Sequence, residues 1–405
     1  MGGGMKILAF TSGRSDYDLL SYLYKMLSQA PEIDFRLIVS SAHLSPTHGM
    51  TVKHIEEDGI KILDRIETLL DSDSDSARIK SASILLQNAI HSVERFSPDL
   101  IIYAGDREDV MVGALIGGYL KIATAHFFAG DHDRDGLIDN PVRHAASKLS
   151  AYTFASLEEH KRRLIGIGQN PARIFTIGSC ALDKFRQETD ISKKKIFSIF
   201  APDGRIFDRY ALLIFHPLMA YEHEAVGDFR NIISALKNQG MPAIINLPNI
   251  DPGSRGLMAV MQEFKADKDL IFVNNLSRNI FVNVYRNAAF QIGNSSSGIV
   301  EAASIPLGVI NVGRRMEGRK AQGNVIFTDG SLKAIERAIS KVTSQAFYRT
   351  HVKGIKNIYG DGQSSARAFR ILKNLPLGDF AQFRKEDPLF PSFKGRVHKA
   401  KKEKK

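Results

Sequence analysis

Cysteine occurs once in 405 residues, at Cys180, so the chain can close no internal disulfide and build no cysteine-based metal site. Long apolar runs are missing too: none reaches the roughly 18 residues that a membrane span needs. The N-terminus, Met1-Gly2-Gly3-Gly4-Met5-Lys6, passes straight into a strand-like run and lacks a signal-peptide pattern. Low-complexity segments and short internal repeats are likewise missing. These absences fit a cytoplasmic protein that does not enter a membrane. With 43% apolar and 24% charged residues, the chain has the length and composition for two globular domains with substantial cores.

A net charge of +11 raises the question of nucleic acid, and its distribution answers against it. Arg384 to Lys405 holds nine basic and three acidic residues, a net +6, which leaves about +5 for the body. That end, with Pro388 and Pro391, reads as a solvated, largely disordered basic tail. The mild excess on the body suits a small anionic ligand.

Strand and helix patterns alternate along the chain. Lys6–Phe10, Phe35–Val39, Leu100–Tyr103 and Ile122–Phe128 read as strands, with helices over Asp18–Ala30, Ser83–Phe96 and Asp109–Tyr119. The second half repeats the theme, with strands at Tyr210–Phe215, Ala243–Leu247, Leu270–Val273 and Gly308–Val312 and helices at Glu224–Gln239 and Ile280–Asn287. Apolar strands separated by helices imply βαβ units and parallel sheets. The expected fold is α/β, with two Rossmann-like doubly wound domains over 1–185 and 209–375. A linker spans 186–208, and the tail 376–405 follows. Ligands of such folds bind beyond the carboxyl ends of the strands, here in a cleft between the domains.

The most informative stretch is Gly293-Asn294-Ser295-Ser296-Ser297-Gly298, with Glu301 three residues on. An apolar run leads in and helix-compatible residues lead out. A helix start offers unpaired N–H groups and positive potential to phosphate. The serine hydroxyls add donors, and the glycines let the backbone approach a ligand. An ordinary βα loop with a serine N-cap would look the same. Other polar loops follow other strands: Gly13-Arg14-Ser15-Asp16-Tyr17, Gly105-Asp106-Arg107, Gly130-Asp131-His132-Asp133, His216-Pro217, Asn249 to Asp251, and Gly313-Arg314-Arg315. Taken alone, Asp139 serves equally well as the N-cap of a helix carrying Arg143 and His144, and Asp106-Arg107 as a surface ion pair. Together they concentrate carboxylates for proton transfer and arginines for a diphosphate. Asp131, His132, Asp133 and Asp135 could suggest a metal, but the spacing is not that of an EF-hand, and no metal is expected.

These residues carry a resemblance to the UDP-N-acetylglucosamine 2-epimerases, most closely to the hydrolysing branch that feeds sialic and related nonulosonic acid synthesis. Gly13 to Tyr17 looks like that family's first loop, and His43-Leu44-Ser45-Pro46 with Gly49 and Thr51 like its next segment. Gly105-Asp106-Arg107 is similar to its "GDR" turn, and Asp139 to Leu149 to its "DDSIRHAITKL" helix. Gly178-Ser179-Cys180, Pro248 to Ser254, Gly293 to Glu301, Ile310 to Gly313 and Ile358-Tyr359-Gly360-Asp361-Gly362 complete the match over residues 6 to about 375.

The resemblance implies a GT-B-like pair of domains, often as a homodimer, with the last helix packing back on the first domain. It implies a UDP-sugar substrate and chemistry that uses neither NAD nor metal. A base removes the C2 proton, UDP leaves from C1 by anti elimination, and water adds to the resulting 2-acetamidoglucal. The products are N-acetylmannosamine and UDP. Asp106, Asp131 and Asp139 carry over as acid/base candidates. Arg14, His216, Ser295 and Ser296 carry over to the diphosphate, His216 also as a catalytic candidate, with Ser297 and Gly298 in the same loop. Glu301 carries over to the ribose, Arg315 as a further contact, and Asn249 to the uracil or phosphate side. Asp16 and Arg107 would support the sugar end, alongside Arg143 and His144. Two positions depart from the family: Phe128 stands where an acidic residue or histidine is usual, and Asn140 where an aspartate is. UDP-N-acetylglucosamine is the first substrate expected, and UDP-2,4-diacetamido-2,4,6-trideoxyglucose the alternative that Phe128 raises. From another class, the two departures raise an inactive nucleotide-sugar binding or regulatory protein.

Overall fold

The computed structural model of the chain describes residues 4–70, 72, 74–133, 138–201, 203–217, 222–247, 254–274 and 276–377. Seven strands form the first sheet: β1 (Met5–Thr11), β2 (Ile33–Ser40), β3 (Ile62–Ile66), β4 (Leu100–Ala104), β5 (Ala123–Phe127), β6 (Tyr152–Ala155) and β7 (Ile174–Thr176), in the order β3-β2-β1-β4-β5-β6-β7. Six form the second: β8 (Ala211–Ile214), β9 (Ala243–Asn246), β10 (Leu270–Val273), β11 (Phe290–Gly293), β12 (Val309–Val312) and β13 (Val325–Thr328), in the order β10-β9-β8-β11-β12-β13. All pairings are parallel. This is the expected α/β architecture of two doubly wound, GT-B-like halves.

The strands form because their sequences suit burial on both faces. Leu100-Ile101-Ile102-Tyr103-Ala104 is buried at every position. Alternate residues feed opposite cores: Ile7 and Ala9 join one cluster of the first sheet, Leu8 and Phe10 the other. The second sheet is likewise covered on both faces. The helix Arg14–Gln29 buries Tyr17, Leu20, Leu23, Tyr24 and Leu27, one stripe at helical spacing.

Several boundaries differ from the sequence expectation for physical reasons. The helix expected from Ser83 begins at Asp75, so Asp75 to Ala82 supply its first two turns. Its end is as expected: Ser97, in the left-handed region just before Pro98, closes it. Phe128 lies outside β5, also in the left-handed region, at φ 58°. Within 186–208, read as a linker, the helix Lys193–Phe200 forms and packs Ile196 and Phe197 into a core of the second sheet. The helix Ser364–Leu372 places Ala368 and Leu372 in the first half's core. Asn249, Asp251, Asp135 and the tail beyond Leu377 lie outside the described residues. Among the described residues no helix is long and apolar enough to cross a membrane.

Both sheets reverse strand order at one place, between β1 and β4 and between β8 and β11. The loops after these four strands are those carrying Arg14, Asp106, His216 and the serine run, so the topology delivers the motif loops to the switch points.

Candidate active site

A cavity of about 270 Å³ lies between the halves. Asp106, Arg107, Asp131, Asp139 and Arg143 line it from the first half, and Ser296, Ser297, Glu301 and Arg315 from the second. Two larger hollows, of about 690 and 560 Å³, lie elsewhere and lack this concentration of carboxylates facing arginines.

Asp131 is the electrostatic centre. Its Oδ2 lies 3.4 Å from Arg143 Nη1 and 3.3 Å from Arg319 Nη2. Its Oδ1 accepts the His132 backbone N–H at 2.9 Å and faces His160 Nε2 at 3.4 Å. Burial pushes this carboxyl up, but Arg319 foremost among its neighbours outweighs that and holds it below the usual carboxylate range. Asp131 is therefore ionised near neutral pH. Arg143, nearly fully buried, pairs also with Asp106. Burial, with Arg319 and Arg163 nearby, pulls the Arg143 guanidinium down to about 9, and between two carboxylates it remains a cation. Burial likewise pushes His160 down to about 4 against the pull of Asp131, so its imidazole is neutral near pH 7.

Behind this layer His126 ties the parts together. Its Nε2–H donates to the Gly105 carbonyl at 2.8 Å, and its Nδ1 meets the Ser147 hydroxyl at 2.9 Å. One imidazole thus joins the Asp106 loop to the helix Asp139–Leu149, which carries Arg143. Burial lowers His126 to about 4. A histidine depressed in the folded state takes its proton more readily when unfolded, at about 6.5. Stability is then full above about pH 6.5 and falls on acidification toward 4, by about 1.4 kcal/mol per pH unit. Thermal melts should show His126→Gln less stable at pH 7.5 but with a flatter decline to pH 5 than the unsubstituted protein. Parallel declines would contradict this.

On the other side of the cavity, Ser295 N-caps the short helix Ser296–Val300, accepting the Ser297 N–H at 3.4 Å. Glu301 is held by Lys184, at 2.9 Å to each oxygen. Burial raises its carboxyl against the opposing pull of Lys184. Arg315 Nη1 donates to the Asn294 carbonyl at 3.0 Å.

The remaining described candidates do not line the cavity. Arg14 pairs with Asp18 at 3.4 Å, and Asp18 is also held by Arg278 of the second half. Asp16 accepts the Ser12 N–H at 2.7 Å and the Thr11 hydroxyl at 3.1 Å, closing the first loop. His144 stacks on His132 with ring centroids 5.5 Å apart. The His216 N–H donates to Asn294 Oδ1 at 2.7 Å, which pins the loop beside the serines. Gly298 packs on β12, where a Cβ would come 2.8 Å from Val309 Cγ1. Sequence reading missed Arg78, His160, Arg319 and Tyr359, which line the cavity. Two had a local signal: Arg319, four residues after Arg315 in the same basic turn, and Tyr359, inside the closing motif Ile358 to Gly362 but given no role there. Among the described residues no three His, Cys, Asp or Glu side chains are arranged to hold a metal ion.

Comparison with known proteins agrees with this fold. The family model described as UDP-N-acetylglucosamine 2-epimerase matches residues 25–373. A UDP-N,N'-diacetylbacillosamine 2-epimerase (hydrolyzing) of Legionella pneumophila is 34% identical over 375 residues, 92% of this chain and 96% of that protein. A GDP/UDP-N,N'-diacetylbacillosamine 2-epimerase (hydrolyzing) of Campylobacter jejuni is 28% identical over 84% of this chain and 88% of its own length. The crystal structure of UDP-GlcNAc 2-epimerase from Neisseria meningitidis bound to UDP-GlcNAc superposes with a TM-score of 0.78 at 19% identity, covering 91% of this chain and all of that one, which shows a shared fold. The chain therefore belongs to the UDP-N-acetylglucosamine 2-epimerase family and is a nucleotide-sugar 2-epimerase.

Proposed function

We propose that this enzyme is a hydrolysing 2-epimerase of UDP-2,4-diacetamido-2,4,6-trideoxyglucose, the UDP-N,N'-diacetylbacillosamine type of substrate, releasing UDP and the free 2-epimeric sugar. UDP-N-acetylglucosamine, the first expectation from sequence, becomes the second reading. Phe128 carries the choice. It lines the cavity together with Asp106 and Asp131, and it holds a left-handed backbone that bulky side chains avoid. An apolar ring at the sugar end suits a C6 methyl and an acetamido methyl better than a C6 hydroxyl, whose hydrogen bonds it cannot meet. The Legionella and Campylobacter relatives support the same choice.

In this reading Asp106, Asp131 and Asp139 share the proton transfers. The C2–H bond breaks to a carboxylate as the C1–O bond breaks to UDP. Water then adds its hydroxyl to C1, and a proton returns to C2 on the opposite face. A carboxylate held low by arginines is a weak base for so weak a carbon acid. The drive must come from stabilising the leaving diphosphate, a task that suits Ser296, Ser297 and Arg315, with Glu301 turning from Lys184 to the ribose. The reading extends to a cytoplasmic homodimer supplying nonulosonic acid synthesis.

Turnover of both sugar nucleotides tests the choice. We expect kcat/KM for the trideoxy sugar to exceed that for UDP-N-acetylglucosamine by at least about tenfold, the scale at which a buried hydroxyl without a partner discriminates. Phe128→His should fold, because histidine tolerates the left-handed region better, and should narrow the ratio. Equal or better turnover of UDP-N-acetylglucosamine by the unsubstituted enzyme would overturn the choice.

A further inference from the structure

Arg319 follows β12 in the second half, yet the carboxylates it grips belong to the first half, 186 positions away in the case of Asp133. Its guanidinium takes Asp133 with both prongs, Nη2 to Oδ2 at 2.7 Å and Nε to Oδ1, while Nη2 also lies 3.3 Å from Asp131 Oδ2. The Arg319 side chain is 10% exposed, Asp133 15% and Asp131 17%. So dry a setting makes the contact strong and leaves it little freedom.

The other basic groups facing Asp131 all come from the first half: Arg143 from the helix Asp139–Leu149, His160 and Arg163 from the helix Glu158–Gly166, and the neighbouring His132. Arg143 is shared with Asp106, and Arg163 is engaged by Glu159 and the Gly130 carbonyl. Tyr359 lies near Asp131 and His160 but stays protonated, burial pushing its phenol up. Arg319 is thus the one cation at Asp131, among the described residues, that the second half supplies.

We propose that Arg319 is a positioning residue that fixes Asp131 and Asp133 across the cleft, so that the acid/base group at the sugar is set only when the two halves are apposed. The proposal rests on reading Asp131 as an acid/base group of the epimerase. A lysine would keep the charge but lose the two-pronged geometry, so it should restore the effect only in part. An arginine that is only a strut between the halves would change stability and nothing else. One that serves as a diphosphate contact would change UDP affinity.

The test compares the full-length protein with its Arg319→Met and Arg319→Lys variants. Carbon-13 NMR follows the aspartate carboxyls through a pH titration, with Asp131→Asn identifying the Asp131 signal. Melting temperature, UDP affinity by calorimetry, and the pH profile of kcat/KM for UDP-2,4-diacetamido-2,4,6-trideoxyglucose complete the set. In Arg319→Met the Asp131 carboxyl should titrate about one pH unit higher, and the acid limb of the profile should move up with it. The same variant should lose on the order of 100-fold in kcat/KM, as misplaced catalytic groups do, with UDP affinity unchanged. Arg319→Lys should fall between, and it decides the matter if the methionine variant does not fold. An unmoved Asp131 titration with only a lower melting temperature, or a loss confined to UDP affinity, would overturn the proposal. If the unsubstituted protein turns over no sugar nucleotide, the functional reading falls, while the carboxyl titration still decides what Arg319 does to Asp131.

Discussion

Replacing Asp131 with asparagine should cut kcat by roughly a thousandfold, the scale of a lost general acid–base group, and leave the fold and UDP binding in place. The expectation of an intact fold comes from the partners. Arg319 keeps Asp133, and Arg143 keeps Asp106, so neither guanidinium is stranded when the Asp131 charge goes. The asparagine carbonyl can take the Oδ2 place that faces the two guanidinium groups, which turns the amide NH2 toward His160 Nε2. The amide matches the carboxylate in size but cannot take up a proton from C2. Stopped assays of UDP release, calorimetry with UDP and a thermal melt separate these effects. Turnover within tenfold of the unsubstituted enzyme, with the fold intact, would remove Asp131 from the proton-transfer scheme.

Gly293→Ala should be the most damaging small substitution in the second half. Gly293 ends β11, pairs with Ile214 of β8 and Asn311 of β12, and has φ 136°, a conformation open essentially to glycine alone. A Cβ there would lie 2.0 Å from the Ile214 carbonyl oxygen and 2.7 Å from its carbon. Both belong to the backbone of a central strand, which cannot swing aside as a side chain can. The next residue, Asn294, bonds the His216 backbone in both directions, at 2.7 and 2.8 Å, so displacement at Gly293 moves the serine loop and the His216-Pro217 loop together. The destabilisation should exceed about 4 kcal/mol, in the range reserved for named backbone and core defects. UDP binding should be lost with it. Gly118→Ala is the control: its site has open space around the added carbon and helical backbone, so it should stabilise by roughly 0.5–1 kcal/mol. Urea denaturation measures both, and a Gly293→Ala midpoint equal to that of the unsubstituted protein would contradict the argument.

The parts of this molecule that were legible in its sequence are those written in local pattern. Leu100–Tyr103 and Leu270–Val273 are uninterrupted apolar runs, and they are strands because both faces are buried. Three of the four edge strands escaped notice, and the inner β6 with them: β3 contains Asp64 and Arg65, β7 has three residues, β6 is interrupted by Thr153, and β13 has only three apolar residues before Thr328. The loops after β1, β4, β8 and β11 could be picked out as polar breaks after apolar strands. Their use could not, because Arg14 paired with Asp18 and Asp16 closing its own loop have the same local sequence as ligand contacts would. Arg78 was hidden by a helix start placed at Ser83, and His160 and Arg319 reach Asp131 only through tertiary folding. Phe128 was visible as a departure from the family pattern. Its left-handed backbone and its place in the cavity wall were not.

Proton NMR of the full-length protein in D2O with UDP-2,4-diacetamido-2,4,6-trideoxyglucose, run beside UDP-N-acetylglucosamine, bears most directly on the account as a whole. UDP release is expected together with a free manno-configured trideoxy sugar carrying deuterium at C2, formed faster than N-acetylmannosamine from the second substrate. A product that keeps its C2 proton, a UDP-sugar epimerised without release of UDP, or binding of UDP with turnover of neither substrate would contradict it.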